Sequence, residues 1–165
     1  MLALLAVDCQ RPAAVLIRQT DKSGARLSST VYTGDPNAAP QLVNGFFEIE
    51  EYSWRWTAQR FSVVLRPPGG ATGESATLTA ALAVSDAEIA KLGSVTLIAA
   101  IGLTSLSPET YTKPGSYTYT REVPASLLTK EEVRVDFRVD KAMKPGGQDI
   151  RELGVIVTSI GLEPR

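Results

Sequence analysis

The chain of 165 residues contains no histidine and a single cysteine, Cys9, and its net charge is only -1. Histidine is the commonest general base and the commonest metal ligand, so its absence excludes Ser-His-Asp and Cys-His catalytic arrangements. With one cysteine the chain can form neither an intrachain disulfide nor a zinc site made of several thiolates. These absences remove most enzyme classes from consideration.

Sequence motifs of several other enzyme classes are missing as well. Neither G-x-x-x-x-G-K-[ST] nor G-x-G-x-x-G occurs, and S-x-x-K of the lysine-dependent serine hydrolases is absent. Paired carboxylates among Glu48, Glu50 and Glu51 leave a glycosidase open, because such enzymes place two acids around the cleaved bond. Acidic residues on the outer face of a strand are usually just solvated, however. We therefore predict a protein that is not an enzyme and has no cofactor.

Acidic residues also leave a calcium site open. Its ligands would come from Asp136, Asp140, Asp149 or Glu152, since hard cations prefer oxygen ligands. No compact D-x-D-x-D loop is present, so we predict that the protein holds no metal.

The charge balance limits the partners. The chain has 17 basic and 18 acidic residues, whereas nucleic-acid binding requires a basic field, so we predict no nucleic-acid partner. Composition is that of a globular protein, with 44% hydrophobic and 21% charged residues, and the length fits one domain.

The first residues, MLALLAVDC, form an apolar run that is too short to span a membrane and ends at Cys9. It is typical of the end of a lipoprotein leader, so we expect residues 1–13 to be a leader or tether and Cys9 to carry a lipid anchor. The expected location is the cell envelope or periplasm. A mis-assigned start, a plain hydrophobic segment and a cytoplasmic protein stay open, because no basic residue precedes the run and Asp8 stands where a small residue is expected.

From Val15 onward the hydrophobic period is two, which predicts β-strands. In VRVDFRVD (133–140) the apolar side chains share one face and the charged side chains the other. Further strands are predicted at 61–67, 76–84, 94–103, 116–123 and 153–162, with weaker ones at 14–20 and 26–34. One short helix is predicted at 85–93, where Ser85 and Glu88 form a capping box before Gly93, and a helical turn at 124–128. Residues 14–165 are therefore predicted to be all-β: a jelly-roll-like antiparallel β-sandwich with one short helix.

Both tryptophans of the chain lie in NGFFEIEEYSWRWTAQRFSVVL (44–65). In a strand Trp54 and Trp56 point to one face, with Tyr52, and Arg55 points to the other. Two such rings could form a platform on which a sugar stacks, with Arg55 or Glu50 bonding its hydroxyls. They could equally belong to the core, or one ring could be buried and the other lie at a rim.

A second distinctive stretch is DIRELGVIVTSIGL (149–162). Arg151 stands just before an apolar strand and is predicted to pair with a carboxylate of residues 48–51, which would join the last strand to the first. The alternative is that Arg151 lies at the rim of a binding site.

Together these two stretches carry a family resemblance. Residues 43–165 resemble an uncharacterised bacterial β-sandwich domain, similar in outline to galactose-binding-like jelly rolls, that is found in envelope lipoprotein-like proteins and appended to some glycosyltransferases. The resemblance implies no catalytic residues. The matching residues are Trp54, Arg55, Trp56, Thr57, Arg151, Leu153 and Gly154.

The function predicted from the sequence is non-catalytic binding in the bacterial cell envelope, with a carbohydrate as the ligand. The expected partner is a glycan or an envelope protein. The alternative function is a structural or protein–protein interaction domain without a small ligand. The candidate ligand-binding residues are Trp54, Trp56, Tyr52, Arg55, Glu50 and Arg151.

Overall fold

The protein is an antiparallel β-structure. Its structure is a computed structural model that describes residues 26–70 and 73–165, so Cys9, the predicted leader and the predicted strand at 14–20 lie outside the described residues. The strands are β1 (Thr30–Tyr32), β2 (Leu42–Glu50), β3 (Trp54–Leu65), β4 (Ala76–Val84), β5 (Val95–Ile101), β6 (Thr104–Ser105), β7 (Glu109–Tyr111), β8 (Gly115–Val123), β9 (Val133–Val139) and β10 (Ile156–Pro164). The helix α1 spans Asp86–Leu92, and short 3-10 helices span Pro36–Gln41 and Ala125–Leu127.

The ten strands form one continuous antiparallel sheet that folds over at the long strand β3, and we call its two layers sheet A and sheet B. In sheet A, β5 pairs with β9, which pairs with the second half of β3, and the short β6 and β7 pair with β5. In sheet B, β10 pairs with β4 along one edge and with the first half of β3 and then β1 along the other edge. Strand β8 pairs with β4. The β2–β3 hairpin runs along both sheets and joins them.

The two sheets pack face to face around an aromatic centre. The rings of Phe61 and Phe137 in sheet A stack with their centroids 5.0 Å apart, and Tyr119 of sheet B meets Phe137 edge-on at 6.5 Å. Tyr111 of sheet A and Tyr117 of sheet B lie 4.5 Å apart. Since the inner side chains of both sheets make one core, the predicted jelly-roll-like β-sandwich is confirmed.

The alternation of apolar and polar residues in the sequence correctly predicted which side chains of β4 and β9 are buried. Strand β4 has the predicted bounds and buries the predicted face, and β9 buries Val133, Val135, Phe137 and Val139. The predicted helix is also confirmed: Ser85 caps α1, Glu88 completes the capping box, and Gly93 ends the helix at φ 75°. These elements were predictable because their signals are local.

Strands β2, β6 and β7 were not predicted, and three predicted strands have clearly different bounds. Strand β3 begins at Trp54 rather than residue 61, because its first half pairs with β10 and its second half with β9. Strand β10 begins at Ile156 rather than residue 153, because Leu153 bridges to Met143 and Gly154 bonds to Thr57. Strand β1 covers only residues 30–32 of the weaker strand predicted at 26–34, and it pairs with β10, so this segment adds a strand to the sandwich.

In the part of the chain that the structure describes, the α-helix α1 has seven residues, and no helix there could span a membrane.

Candidate ligand-binding face

The two tryptophans lie at the start of β3, directly after a tight hairpin. Both side chains are half-buried, and neither belongs to the buried core or to the apolar residues packed against it. The opposite face of the strand carries Arg55 and the fully buried Thr57. The tryptophans therefore point away from the core, on the outer face of sheet B, which contradicts the alternative that places both rings in the core.

The two rings do not form one flat platform. Their centroids lie 6.2 Å apart and their planes meet at 81°, an edge-to-face contact. Such a contact is favourable because the positive edge of one ring meets the negative face of the other. Only one of the two rings can therefore lie parallel to a given sugar ring, and the other braces it.

Arg55 is engaged by the protein itself. Its Nε donates to the carbonyl oxygen of Thr33 at 2.8 Å, and its Nη1 donates to the carbonyl oxygen of Phe47 at 2.8 Å. These bonds join the end of β1 to β2 across the start of β3. Arg55, which was predicted to contact a ligand, thus uses these donors to bind two backbone carbonyl oxygens of the protein.

Arg151 forms the predicted ion pair. Its Nη1 lies 2.8 Å from Glu50 Oε1, and its Nε and Nη2 donate to both carboxylate oxygens of Asp149 at 3.0 and 2.9 Å. Its guanidinium carbon lies 5.3 Å from the ring centre of Phe47. The hydrogen bonds from Arg151 lower the pKa of Asp149 to about 2. Arg151 therefore ties the segment before β10 to the end of β2.

Gly154 and Thr57 make a second link between the same segments. The amide of Gly154 donates to the carbonyl oxygen of Thr57 at 2.6 Å, and the amide of Val155 donates to Thr57 Oγ1 at 3.1 Å. A Cβ on Gly154 would lie 2.5 Å from the carbonyl oxygen of Ala58, so no larger residue fits. These contacts of Thr57 hold β3 against the segment before β10.

Tyr52 does not share the strand face of the tryptophans. Glu51 and Tyr52 are the two central residues of the β2–β3 turn, both with positive φ (49° and 55°), and Ser53 N donates to Glu50 O at 3.1 Å. This places the Tyr52 ring at the hairpin tip, where it is 97% exposed. The expectation that Tyr52 continues the strand parity was wrong, because the turn reverses the chain at that residue.

The strand register identifies which side chains accompany the tryptophans on the outer face of sheet B. Directly opposed residues of an antiparallel pair lie on the same face. One row across the sheet therefore reads Trp56, Ile156, Ala83 and Ser116, and the next row reads Tyr32, Ser159, Ala81 and Thr118. We call these eight residues the aromatic face.

The aromatic face has the composition of a site for a neutral ligand. None of its eight side chains is charged; Tyr32 and Trp56 stand at one end, and Tyr32 is 65% exposed. Three strand spacings separate Trp56 from Ser116, which is about 14 Å. A depression of about 240 Å³ lies along the alanine and threonine positions, lined by Ala81, Ala83, Ser116, Thr118 and Thr158.

The sequence did not predict Tyr32, Ser116 or Thr118 as site residues. They are distant from Trp56 along the chain, and only the pairing of β1 and β4 with β10 brings them to one face. The alternation of β8 places Ser116 and Thr118 outward, so their exposure was predictable, but their neighbours were not.

The acidic residues do not assemble a metal centre within the described residues, where no group of three or more potential ligands is found. Asp136 pairs with Arg134, Asp149 with Arg151, and Glu152 with Lys144. Of the carboxylates that left a glycosidase open, Glu50 is held by Arg151.

No protein-family model and no curated protein matches the chain. Among solved structures, the chain is similar to a carbohydrate-binding module described as "CBM4 structure and function", with a TM-score of 0.39 and 12% identity over 82% of this chain and 85% of that chain. A TM-score this low carries no conclusion about fold or ligand. The sandwich is therefore assigned from its own strand pairing and core contacts.

Proposed function

We propose that the protein is a non-catalytic binding module that holds a carbohydrate on the aromatic face. The observation that carries the proposal is the position of Tyr32 and Trp56 in adjacent rows of the aromatic face, which has no charged side chain. Sugars offer apolar C–H faces that stack on aromatic rings, and hydroxyl groups that need hydrogen-bond partners. The aromatic face supplies both kinds of contact.

Each part of the face has a role in this proposal. Trp56 or Tyr32 stacks against a sugar ring, and Trp54 holds the Trp56 ring edge-on at 6.2 Å. The alanines keep the surface low enough for a ligand to lie flat, and the hydroxyls of Ser159, Ser116 and Thr118 bond sugar hydroxyls. Sites of this kind combine apolar area with a few polar groups that fix orientation.

Arg55, Glu50 and Arg151 act on the ligand indirectly in this proposal. Their hydrogen bonds and ion pairs fix the β2–β3 hairpin against the segment before β10. A site built on strands that are held in this way keeps its geometry better than one on free loops. Tyr52 lies at the hairpin tip, outside the aromatic face, so it would contact only a ligand that extends beyond that face.

Calorimetric titration with a panel of neutral cell-wall oligosaccharides tests the proposal. Tyr32→Ala should weaken binding about fivefold or more, because an aromatic contact is worth about 1 kcal/mol beyond its buried area. Trp56→Ala should abolish detectable binding. Leu103→Ala, which removes a fully exposed apolar side chain far from this face, is the control and should bind as the parent does.

Two outcomes contradict the proposal. One is the absence of binding by any neutral sugar at millimolar concentration. The other is unchanged affinity in Tyr32→Ala and Trp56→Ala when thermal unfolding shows both variants folded. Either result would favour the alternative of a protein–protein interaction domain, to be sought by cross-linking.

The cell envelope is the proposed location, on the basis of the apolar run that ends at Cys9. A lipid on that cysteine would tether the sandwich to a membrane surface, and one apolar run of this length could not span it. Mass spectrometry of the protein from a bacterial host should show a lipid-modified Cys9. In Cys9→Ser the protein should move from the membrane fraction to the soluble fraction, and an unmodified cysteine would contradict the proposal.

A further inference from the structure

The outer face of sheet A, on the other side of the sandwich from the aromatic face, has the opposite character. A groove of about 450 Å³ opens over β3, β9 and β5. Its charged lining side chains are Arg60, Arg134, Asp136 and Arg138, and Asn44, Ser62 and Ile98 lie beside them. The groove thus has three arginines and one carboxylate, whereas none of the eight residues of the aromatic face is charged.

Two of the arginines stand directly opposite each other. The register pairs Arg60 of β3 with Arg138 of β9, so their Cβ atoms lie about 4.5–5.5 Å apart on one face. Both residues are exposed. Like charges at directly opposed positions destabilise a sheet, so the fold alone gives no reason for this pair.

The nearby carboxylates are occupied elsewhere. Asp136 lies 2.8 Å from Arg134 Nε and accepts the hydroxyl of Ser62. Asp140 accepts the amide of Thr96 at 2.7 Å. Within residues 26–70 and 73–165, neither Arg60 nor Arg138 forms an ion pair. The groove therefore carries two positive charges that no described acidic side chain balances.

We propose that Arg60 and Arg138 bind an oxyanion: the carboxylate, sulfate or phosphate group of a ligand that occupies this groove. Guanidinium groups present paired N–H donors that match the oxygens of such anions. Beside the arginines, Ile98 and Ala100 give the groove an apolar part, while Asn44 and Ser62 add neutral polar groups. The site thus fits an anionic group attached to a small organic body, and it is independent of the neutral ligand proposed for the aromatic face.

Binding of three small probes tests this site at low ionic strength, where the attraction is least screened. The probes are glucuronate, inorganic phosphate and the neutral methyl glucoside. The readouts are the melting temperature and the NMR resonances of the arginine Nε–Hε groups. Glucuronate or phosphate should raise the melting temperature and shift the Arg60 and Arg138 resonances, and methyl glucoside should do neither.

Substitution of either arginine separates a binding site from a structural pair. Arg60→Gln and Arg138→Gln should each raise the melting temperature of the free protein by about 1–2 °C, because they remove a repulsion. Each should also weaken anion binding by about tenfold or more. Arg26→Gln, an exposed arginine outside the groove, is the matched control and should leave both values unchanged.

The outcomes divide clearly. Equal responses to phosphate and glucuronate identify a free-anion site, and a stronger response to glucuronate identifies an acidic saccharide; both support the proposal. It is overturned if no anion shifts the two resonances, if Arg60→Gln binds anions as the parent does, or if both substitutions lower the melting temperature.

Discussion

At the residue scale, Gly154 allows two backbone segments to approach closely because it has no side chain. Its backbone passes so near β3 that a Cβ would lie 2.5 Å from the carbonyl oxygen of Ala58 and 2.8 Å from Thr57 Oγ1. The close approach permits the 2.6 Å hydrogen bond between the Gly154 amide and Thr57 O. This glycine is needed for space rather than for its conformational freedom.

Gly154→Ala should therefore lower the free energy of unfolding by about 2 kcal/mol or more, because the backbone of β3 cannot yield without losing hydrogen bonds. Gly146→Ala is the matched control, since its nearest neighbour would be the Lys144 carbonyl oxygen at 3.9 Å. Urea denaturation of the two variants measures the difference. Equal stability of both variants would show that the chain relaxes at Gly154.

Glu88 is the buried carboxyl group of the capping box. Its side chain is fully buried, Oε2 accepts the Ser85 amide at 2.6 Å, and Oε1 has no hydrogen-bond partner. Burial raises the pKa of Glu88 from 4.5 to about 7. Between these two values the folded protein binds more protons than the unfolded chain, so stability falls as the pH rises.

Glu88→Gln keeps a capping-box side chain but cannot ionise. Above pH 7 the variant should be more stable than the parent by an amount on the order of 1–3 kcal/mol. This advantage should disappear below the unfolded pKa, where Glu88 is neutral in both states. Denaturation at pH 4 and pH 8 measures the change, with the exposed Glu131→Gln as control. A difference that does not vary with pH would contradict the raised pKa.

At the element scale, the β2–β3 hairpin carries strain in the two residues of its turn. Glu51 and Tyr52 both have positive φ, a conformation that costs a residue with a side chain about 1–2 kcal/mol. Turns of this type favour Asn-Gly. Strained residues are enriched at functional sites. A substitution that relieves the strain in this turn therefore tests whether Tyr52 belongs to the binding surface.

The double substitution Glu51→Asn, Tyr52→Gly should raise the free energy of unfolding by about 1–2 kcal/mol, because it removes the unfavourable side chains from a turn whose path it keeps. Tyr52 is 97% exposed, so little packing is lost. Thermal unfolding measures the gain, and titration with the sugar panel measures affinity in the same variant. A stable variant with weaker binding would place Tyr52 in the site; a destabilised variant would show that the side chains support the turn.

At the scale of the whole molecule, β10 completes sheet B from the far end of the chain. It pairs with β4 on one side and with β1 and β3 on the other. It contributes Val157, Ile160 and Leu162 to the core. Sheet B therefore cannot close until residues 156–163 have joined it.

Deletion of residues 156–165 should abolish cooperative unfolding, because it opens two strand edges and removes three core side chains. Deletion of residues 164–165 alone should leave a folded protein with nearly the parent melting temperature, since the last residues are exposed. Circular dichroism melts of both truncations measure this. A sharp transition in the longer deletion would show that the remaining strands fold without β10.

The sequence alone determined the features whose causes lie within a few residues. Alternating apolar positions identify strands such as β4 and β9 and their buried faces. Ser85, Glu88 and Gly93 identify the start and the end of α1. The link between Arg151 and the carboxylates of residues 48–51 was also predicted, from charge and position.

Tertiary structure decided which faces meet and which residues share them. Strand β3 pairs with β10 in its first half and with β9 in its second half, and these pairings place Tyr32 beside Trp56 and Arg60 opposite Arg138. They join residues 68 (Leu65 and Val133) to 131 (Thr30 and Gly161) positions apart in the chain. A period of two gives the face of each residue but not its partner across the sheet, because any two alternating strands can pair in several registers. The core packing and close approaches such as Gly154 against β3 select one register, and that register creates the aromatic face and the arginine groove.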